Sequence, residues 1–506
     1  MHMKKKLILS AAVVALMAAG CNKIDENFQD SLAANSGNSI TAADLLLNIY
    51  RNDMRNLQGQ EGVWAIQEHT TDECVGPTRG GDWDDNGIWR VLHAHTWDAN
   101  HNYVRMAFEH LGRIAYNSTQ VLSLSPNAQQ AAEARFLRAF AEFHYVEGWD
   151  QVPYREPGGD PLAVPSVRKG AEALNFVISE LEAILPDLTN GPEYNANKNA
   201  ARVLLMKAYL TKGVVANRAA PTFDPADMAK VLAYGNDILA SGYTLTGNFY
   251  DNFAPLNNSL STENIFTGEN LGGSSSGGVR SRYFCSLHYN NNPGGWNGFT
   301  TLGEFYDKFE ANDKRRGDTY PGVTNVSGLR VGLLEGQQYN QNNVALQDRK
   351  GNPLSFTKAV KAVETDPNTL EVTGVRVVKY PPDYNNGDNV DNDFVIFRLA
   401  DVMLMMAEAH LRNAPANPGA ALTLVNAVRD RADASALGSV NLDQLLDERG
   451  RELYWEGWRR QDLIRFGKFL EPDELRTTPS AETRLLFPIP AQQLAANPNL
   501  TQNPGY

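Results

Sequence analysis

Trp83 lies in an irregular stretch, residues 70–90, that is rich in glycine, aspartate and tryptophan and keeps neither a helical nor a strand period. Gly80 and Gly81, just before the tryptophan, allow the backbone to present its ring. A flat indole can stack on the apolar face of a sugar ring, while acidic, amide and guanidinium groups bond the sugar hydroxyls. We therefore predict carbohydrate contacts here, with Trp83 as the stacking platform and four hydroxyl partners: Asp72, Glu73, Arg79 and Asp82.

A second irregular stretch, from about 244 to 390, is rich in asparagine and glycine. Loops of this length in a compact protein are usually functional. For Trp89 and Trp97 we favour a place in the core, because large aromatic side chains are mostly buried on average. Trp296 follows a pair of glycines far from any periodic segment, so we favour exposure for it, as for Trp83. The second stretch adds a further predicted set of sugar contacts: Tyr283, Tyr289, Asn291 and Trp296.

Catalytic interpretations of these stretches have weaker support. A glycosidase needs two carboxylates across the sugar bond, one with a raised pKa, and residues 72–85 supply acidic side chains in number. Acidic loop residues, however, usually face water. Residues 273–277 fit the pattern GxSxG, but the strand and helix that must flank a nucleophile elbow are missing from the pattern around them. We therefore predict no catalytic residue, and a surface glycoside hydrolase is the minor hypothesis.

Histidines crowd between residues 93 and 110, where His93 and His95 could offer two metal ligands from an extended segment. No HExxH or comparable frame accompanies them, and nothing in the spacing brings further ligands together. We expect loop histidines that are hydrogen-bonded or solvated. The sequence also shows no cofactor fingerprint and no phosphate loop. We predict neither a metal site nor a cofactor.

Helical periodicity dominates the first half of the chain. Helix follows helix with short breaks, which indicates paired helical hairpins. A short β element is predicted at 372–380, just before a loop that leads into the C-terminal part. The fold class is mainly α, with long irregular loops and a few short β-strands. The predicted helical runs lie near 41–57, 104–115, 132–149, 171–188, 199–217 and 225–241.

The most ordered pattern lies near the C-terminus, between residues 391 and 469. Its first part is apolar on more than one face from Val395 to Leu411, which predicts a helix inside a domain. In its second part, charges follow one another at helical steps from Arg449 to Arg465, and we predict a structural ladder of ion pairs. Carboxylates flanked by arginines stay ionised, which suits neither a general acid nor a base near neutral pH.

Three blocks in this part resemble the C-terminal signature of the SusD/RagB family, the surface glycan-binding lipoproteins of Bacteroidetes nutrient-uptake systems. The blocks are FRLADVMLMMAEA, ERGRELYWEGWRRQDLIRFGKF and LFPIPAQQLAANPNLTQNPGY. The segment WDQVPY at 149–154 is similar to the family's Gly-x-Val-Pro turn, although the usual glycine is missing. The resemblance implies a SusD-like, tetratricopeptide-like scaffold of helical pairs, while the chain itself shows no clean 34-residue repeat.

The same resemblance implies a lid over a TonB-dependent outer-membrane transporter of the SusC type. Such a lid captures an oligosaccharide or polysaccharide and delivers it by opening and closing. No bond is broken in that mechanism, so no enzyme is expected. The RagB branch of the family leaves a peptide cargo open. Binding of a basic peptide to the acidic residues 72–85 should weaken with salt, whereas sugar stacking should be nearly indifferent to it.

Residues 1–20 match an export signal: they carry Lys4, Lys5 and Lys6, an apolar run too short for a confident membrane span, and small residues before Cys21. That cysteine resembles the lipobox cysteine of a bacterial lipoprotein, so Cys21 is predicted to carry the lipid anchor. Acyl chains would hold the protein on the outer membrane, and the family resemblance implies that it faces the cell exterior. The remaining predicted divisions are a polar tether at 21–40 and one globular unit at 41–506, with parts at about 41–245 and 246–506.

The net charge and the cysteine content bear on the possible partners of the chain and on whether it contains a disulfide. The formal net charge of -13 disfavours nucleic acid as a partner. Cys74 and Cys285 form an even pair in an oxidising compartment, so a disulfide is permitted by count. Two buried thiols agree with the sequence equally well, because it does not give the distance between them.

Overall fold

The computed structural model describes residues 40–506. The predicted export signal, the predicted anchor Cys21 and the tether up to residue 39 lie outside the described residues. Residues Ala42–Tyr506 form one compact unit. In this described part, no helix is both long and apolar enough to cross a membrane.

Helices account for most of the regular structure in the described part, which confirms the predicted mainly α fold class. A π-helical turn at Ile49–Asp53 and a 3-10 turn at Met54–Leu57 continue the first helix, and further 3-10 turns lie at Asp85–Gly87, Phe249–Asn252 and Glu482–Leu485. The helices are α1 Ala42–Asn48, α2 Gly62–Glu68, α3 Ile88–His93, α4 Asn102–Leu122, α5 Ala128–Trp149, α6 Gly170–Ile184, α7 Lys198–Ala216, α8 Pro225–Leu239, α9 Asn257–Leu260, α10 Ser281–Phe284, α11 Gly303–Tyr306, α12 Thr324–Ser327, α13 Leu399–Arg412, α14 Pro418–Arg431, α15 Leu442–Leu453, α16 Arg459–Arg465 and α17 Ala491–Ala496.

The long helices α4 to α8 pack in chain order, each against the next, and short connections fold them into tetratricopeptide-like hairpins. Phe136, Phe140 and Phe143 of α5 are buried on its inner face, and each such side chain stabilises the fold by about 1.5–3 kcal/mol. From much further along the chain, α13 returns to pack on α8. Gly235 permits that close approach, because a methyl group there would lie 2.5 Å from the Met406 side chain.

The strands are short and scattered. Within residues 40–506 no sheet has more than three of them, so they tie loops together and form no separate layer. β1 and β9 pair in parallel, the pairs β2–β3, β4–β11 and β7–β8 are antiparallel, and β6 lies between β5 and β10. β10 confirms the β element predicted at 372–380. The strands are β1 Thr78–Arg79, β2 Gln151–Tyr154, β3 Ser166–Lys169, β4 Asn264–Gly268, β5 Gly317–Asp318, β6 Val331–Leu334, β7 Gly336–Gln337, β8 Ser355–Phe356, β9 Val363–Glu364, β10 Arg376–Val378 and β11 Phe394–Arg398.

The apolar segment that begins near residue 391 divides into a strand and a helix. A helix was predicted from Val395 onward, and this is wrong for the first residues, which form β11 and pair with β4. The helix α13 begins only at Leu399. Both elements are buried on every side, and a short apolar run with no exposed face does not distinguish a buried strand from a buried helix.

Most charges between Arg449 and Arg465 are paired, as predicted, but one helix does not carry them all. Arg460 instead donates to the Leu485 carbonyl. α15 ends at Leu453 and α16 begins at Arg459. Between these helices the backbone leaves the helical conformation, with φ values of 60° at Trp455 and 84° at Gly457. The main partners of these charges therefore come from elements distant in sequence.

These partners form a buried ion-pair network. Arg449 bonds Asp401 at 2.9 Å and Asp462 at 2.7 Å. Glu452 accepts from Arg398 at 2.6 Å, and further arginines surround it. The side chains are 0–3% exposed, so charges on both sides are removed from water and must satisfy one another. The network joins α13, α15 and α16 and has a structural role.

Candidate functional site

Two loops that are far apart in sequence, residues 70–90 and 285–302, meet at one surface. Val75 and Thr300 exchange backbone hydrogen bonds of 2.8 and 3.0 Å. The Arg79 guanidinium donates to the Gly298 carbonyl, at 3.3 Å from Nε and 3.2 Å from Nη2. The two stretches that were predicted separately therefore contribute to a single surface.

Trp83 and Trp296 stand together at this surface. Their ring centroids are 6.2 Å apart with the planes inclined at 53°, and Nε1 of Trp83 donates to the Trp296 carbonyl at 2.9 Å. Trp83 has a φ of 60° and is half-buried on Phe299, whose ring lies 4.8 Å away. Trp296 packs against Phe284 at 4.9 Å and keeps 47% of its surface exposed. Two indoles therefore border the same opening.

This opening is a shallow cleft of about 700 Å³, which we call the aromatic cleft. The Tyr289 hydroxyl donates to Oδ2 of Asp82 at 3.3 Å. The Arg349 guanidinium lies 4.0 Å from the Tyr289 ring centroid, and Glu371 holds it through a 2.6 Å hydrogen bond. Aromatic faces and polar groups thus alternate around the opening. The rest of the lining is Gln60, Glu61, Asp85, Ile88, Trp89 and Tyr103.

Trp89 forms the floor of the aromatic cleft. It is 2% exposed, which confirms its predicted place in the core. Its Nε1 donates to Oδ2 of Asp85 at 2.9 Å, and its ring packs on Tyr103 at 4.7 Å. Trp97 is buried as well, also as predicted, and donates to the Tyr506 hydroxyl at 2.7 Å. A buried base therefore lies beneath the indoles of Trp83 and Trp296.

Asp72 and Glu73, predicted as hydroxyl partners, do not line the aromatic cleft. Asp72 accepts two hydrogen bonds of 2.7 Å from Arg459; burial opposes its ionisation, but Arg459 outweighs it and lowers the pKa of Asp72. Glu73 is 1% exposed and accepts from the Trp455 backbone N–H at 3.1 Å. Burial, followed by the negative charge of Glu68, raises the pKa of Glu73. Both carboxylates attach the loop at residues 70–90 to the C-terminal signature.

Arg79, Tyr283 and Asn291 also lie in the interior. Arg79 is 4% exposed because it spans the two loops, and burial lowers its pKa to about 9. Tyr283 is 2% exposed. The Asn291 side chain accepts from the His288 backbone N–H at 2.9 Å and so closes a local turn. Of the predicted binding residues, the structure brings these four to the aromatic cleft: Asp82, Trp83, Tyr289 and Trp296.

The other candidate chemistry has no matching geometry in the described part. His93 contacts Asp473 at 3.2 Å, and His95 contacts the Thr70 carbonyl at 2.9 Å. Within residues 40–506, no group of three or more His, Cys, Asp or Glu side chains could hold a metal ion. Residues 273–277 lie in a loop between β4 and α10, not at a turn from a strand directly into a helix.

Cys74 and Cys285 are free thiols in the described part of the chain, and both are fully buried. Sγ of Cys74 lies 3.6 Å from Nε2 of His69. Burial raises the pKa of both thiols, to about 12 for Cys285. Of the two alternatives that the sequence leaves open, the structure has the buried thiols.

Sequence reasoning missed several residues of the aromatic cleft, among them Gln60, Glu61, Tyr103 and Arg349. Tyr103 belongs to the apolar period of α4 and would be assigned to the core. Gln60 and Glu61 precede α2, and Arg349 comes from a separate loop. No local pattern links these residues, since only long-range packing brings them together.

Comparisons with known proteins agree with the resemblance. Residues 262–478 match the model of the SusD family. The chain is 24% identical over 570 aligned positions to the starch-binding protein SusD of Bacteroides thetaiotaomicron, and the alignment covers 99% of each.

Solved structures share the fold. A SusD superfamily protein from Parabacteroides distasonis aligns with a TM-score of 0.72 at 18% identity, over 92% of this chain and 100% of that one. The surface glycan-binding protein A of Bacteroides thetaiotaomicron, in complex with laminarihexaose, aligns with a TM-score of 0.66 at 20% identity, over 91% and 98% of the two chains. In its C-terminal signature, in the match of residues 262–478 to the family model and in its alignment with a full-length relative, this chain is similar to the SusD family, and it shares the fold of SusD superfamily structures.

Proposed function

We propose that this protein is a cell-surface glycan-binding lipoprotein that captures oligosaccharides in the aromatic cleft. The observation that carries the proposal is the pairing of Trp83 and Trp296 at a ring distance of 6.2 Å. Two inclined indoles beside an open cleft can hold the apolar faces of successive sugar rings. Asp82 and Tyr289, which bond each other at 3.3 Å, are placed to exchange that bond for sugar hydroxyls.

Capture without bond cleavage suits the described geometry. The cleft supplies stacking surfaces and hydrogen-bonding groups, which are the components of a binding site. Arg459 holds Asp72 ionised, and Glu73 is buried away from the cleft, so these two carboxyl groups cannot act on a sugar bond there. The names of the relatives also describe binding proteins. We therefore assign a binding function and no reaction.

Delivery of the captured glycan is part of the same proposal. Similarity to the SusD family supports a lid that opens and closes over a SusC-type TonB-dependent transporter. The acylated Cys21 would keep this lid on the outer face of the outer membrane, and the tether would keep its local concentration at the transporter high.

The test is isothermal titration calorimetry of the full-length protein, purified in detergent, with maltohexaose, laminarihexaose and a wider glycan panel. We expect Trp296→Ala to weaken the bound glycan at least tenfold, about 1.4 kcal/mol, without a change in melting temperature. Tyr339→Ala is the matched control, because Tyr339 is an aromatic residue of similar exposure, 44%, that does not line the aromatic cleft.

Two outcomes contradict the proposed site. Equal affinity of wild type and Trp296→Ala would exclude stacking at this cleft. Binding of basic peptides and of no glycan, with an affinity that falls steeply with salt, would instead support a peptide cargo.

A further inference from the structure

A second cleft of about 680 Å³ lies beside the aromatic cleft, and Gln60 and Glu61 line both. Three arginines line this second cleft: Arg51, Arg55 and Arg113. We call it the arginine cleft. A chain molecule bound in one cleft can therefore continue into the other.

These three arginines lack carboxylate partners. Among residues 40–506, none of them forms an ion pair, whereas Arg349 of the aromatic cleft pairs with Glu371. Arg55 only approaches two backbone carbonyls, of Glu269 at 3.4 Å and Ser275 at 3.5 Å. The chain as a whole is acidic, with a formal net charge of -13. A cleft with three guanidinium groups that form no ion pair is therefore a positively charged site on a negatively charged protein.

Asp53 attracts Arg113 and Glu269 attracts Arg55, but in the described part of the chain neither carboxylate forms an ion pair with these arginines. Asp53 is buried, and its Oδ2 accepts from the Asn117 side chain at 2.6 Å. Glu61 lines the cleft, but burial and the negative charge of Asp85 raise its pKa, with no arginine among the causes. Burial is the main cause that lowers the pKa of Arg55; the negative charges of Glu269 and Asp393 oppose this effect, and repulsion by Arg51 adds to it. An anion between these two guanidinium groups would relieve that repulsion.

The Ser/Gly-rich segment, for which no catalytic role is predicted, also lines the arginine cleft. Ser276, Gly277 and Gly278 line the cleft. A methyl group on Gly278 would lie 2.4 Å from the Cα of Gly59, so the segment packs directly on the chain that carries the arginines. Asn270 fixes it through a 2.7 Å hydrogen bond to the Gly277 amide. The cleft is therefore a defined concave site and not a set of scattered surface charges.

We propose that the arginine cleft binds the anionic substituent, a carboxylate or a sulfate ester, of an acidic glycan whose neighbouring sugar rings occupy the aromatic cleft. The inference rests on the proposed function and specifies its substrate class. Guanidinium groups bind carboxylates and sulfates through paired, charge-assisted hydrogen bonds, which ammonium groups cannot form. Arg51 and Arg113 are exposed and can therefore reach such a ligand.

The test compares dextran, carboxymethyl-dextran and dextran sulfate of one chain length, together with polygalacturonate and its methyl ester, by calorimetry on the full-length protein. Each neutral polymer is the matched partner of an acidic one, and the two substituents distinguish a carboxylate from a sulfate. We expect an acidic member to bind at least tenfold tighter than its neutral partner. Arg51→Gln combined with Arg113→Gln should remove that preference and reduce the salt dependence of binding.

Arg330→Gln is the control for general charge effects, because Arg330 is exposed, lines neither cleft and contacts only the Gly317 carbonyl at 3.3 Å. If Arg330→Gln weakens binding as much as the double variant, or if no acidic glycan is preferred, the inference is overturned. If neutral glycans bind and only Trp296→Ala weakens them, the proposed function stands and the inference fails. If the arginine variants abolish binding and Trp296→Ala does not, the arginine cleft binds anions independently and the proposed aromatic site fails.

Discussion

The Trp83 indole lies directly against the backbone of Gly298: a methyl group added at Gly298 would stand 2.2 Å from Cε2 of the ring. No carbon contact of that length is tolerated, so alanine at 298 must displace the indole. Because Nε1 of Trp83 bonds the Trp296 carbonyl, the displacement would also separate the two rings. We predict that Gly298→Ala weakens oligosaccharide binding at least tenfold, measured by calorimetry.

The control for this prediction is Gly81→Ala. Gly81 belongs to the same loop, and a methyl group there would meet no atom within 4 Å. We expect this variant to bind and melt like wild type. Unchanged affinity in Gly298→Ala, with the protein folded, would show that the position of the Trp83 ring does not matter for binding.

Arg79 acts by positioning the two loops. It bonds the Gly298 carbonyl, the Leu370 carbonyl at 3.0 Å and the Thr373 hydroxyl at 2.9 Å. Arg79→Gln would leave buried acceptors unpaired, at a cost of about 2–4 kcal/mol in the free energy of unfolding. We predict this loss in urea denaturation, together with weaker glycan binding.

The comparison for Arg79 is Arg90→Gln. Arg90 pairs with Asp84 at 2.7 Å, but the two side chains are 26% and 49% exposed, so we expect a loss of about 1 kcal/mol or less. If Arg79→Gln is as stable as Arg90→Gln and still loses binding, Arg79 contacts the ligand itself.

The sequence correctly predicted that Trp296 is exposed, whereas Trp83, for which exposure was also predicted, is half-buried on Phe299. Trp83 and Trp296 each follow a pair of glycines outside any periodic segment, and such tryptophans have little core to join. The long helices were predictable for a related reason, since one apolar face repeats over several turns.

The roles of Glu73 and Arg79 could not be predicted in the same way. Charged side chains that bond a sugar and charged side chains that bond buried backbone groups have the same residue types in the same kind of loop. Burial decides between these roles, and here Trp455 buries Glu73 from 382 positions away in sequence. Arg349 is the opposite case: it lines the aromatic cleft, although no sequence pattern in its own loop predicts a place there.

Glu452 is the centre of the buried ion-pair network. Arg315 approaches it at 2.8 Å and Arg398 at 2.6 Å, and Arg431 bonds it as well. Glu452→Gln would leave buried guanidinium charges without full compensation, and we predict a loss of about 3–5 kcal/mol in the free energy of unfolding. Glu471→Gln, which removes an exposed pair with Lys468, should change it by less than about 1 kcal/mol. Similar losses in the two variants would contradict a structural role for the network.

The same network predicts acid sensitivity. Burial opposes the ionisation of Glu408 and Glu448, but the surrounding arginines outweigh it and lower the pKa of each to about 2. A carboxyl group with a depressed pKa stabilises the folded state above its unfolded pKa, and that contribution is lost as the pH falls through the folded pKa. We therefore expect the free energy of unfolding to fall between about pH 4.5 and pH 2. A constant value over that range in urea titrations would show that these pairs do not contribute.

Glu142 should have the opposite pH dependence. It is 2% exposed, and burial raises its pKa to about 7, because the nearest guanidinium nitrogen of Arg138 is 3.9 Å away and offsets burial only in part. The neutral carboxyl group of Glu142 is compatible with the folded state. Its contribution to the free energy of unfolding is therefore complete below the unfolded pKa, near 4.5, and is lost as the pH rises through 7. Glu142→Gln cannot ionise, and we predict that it is more stable than wild type at pH 8 by roughly 2–3 kcal/mol, with little difference at pH 4.5. Chemical denaturation at both pH values measures the difference, with the exposed Glu172→Gln as control. If Glu142→Gln is more stable than wild type by the same amount at pH 8 and at pH 4.5, packing or hydrogen bonding causes the stabilisation, and the buried charge does not.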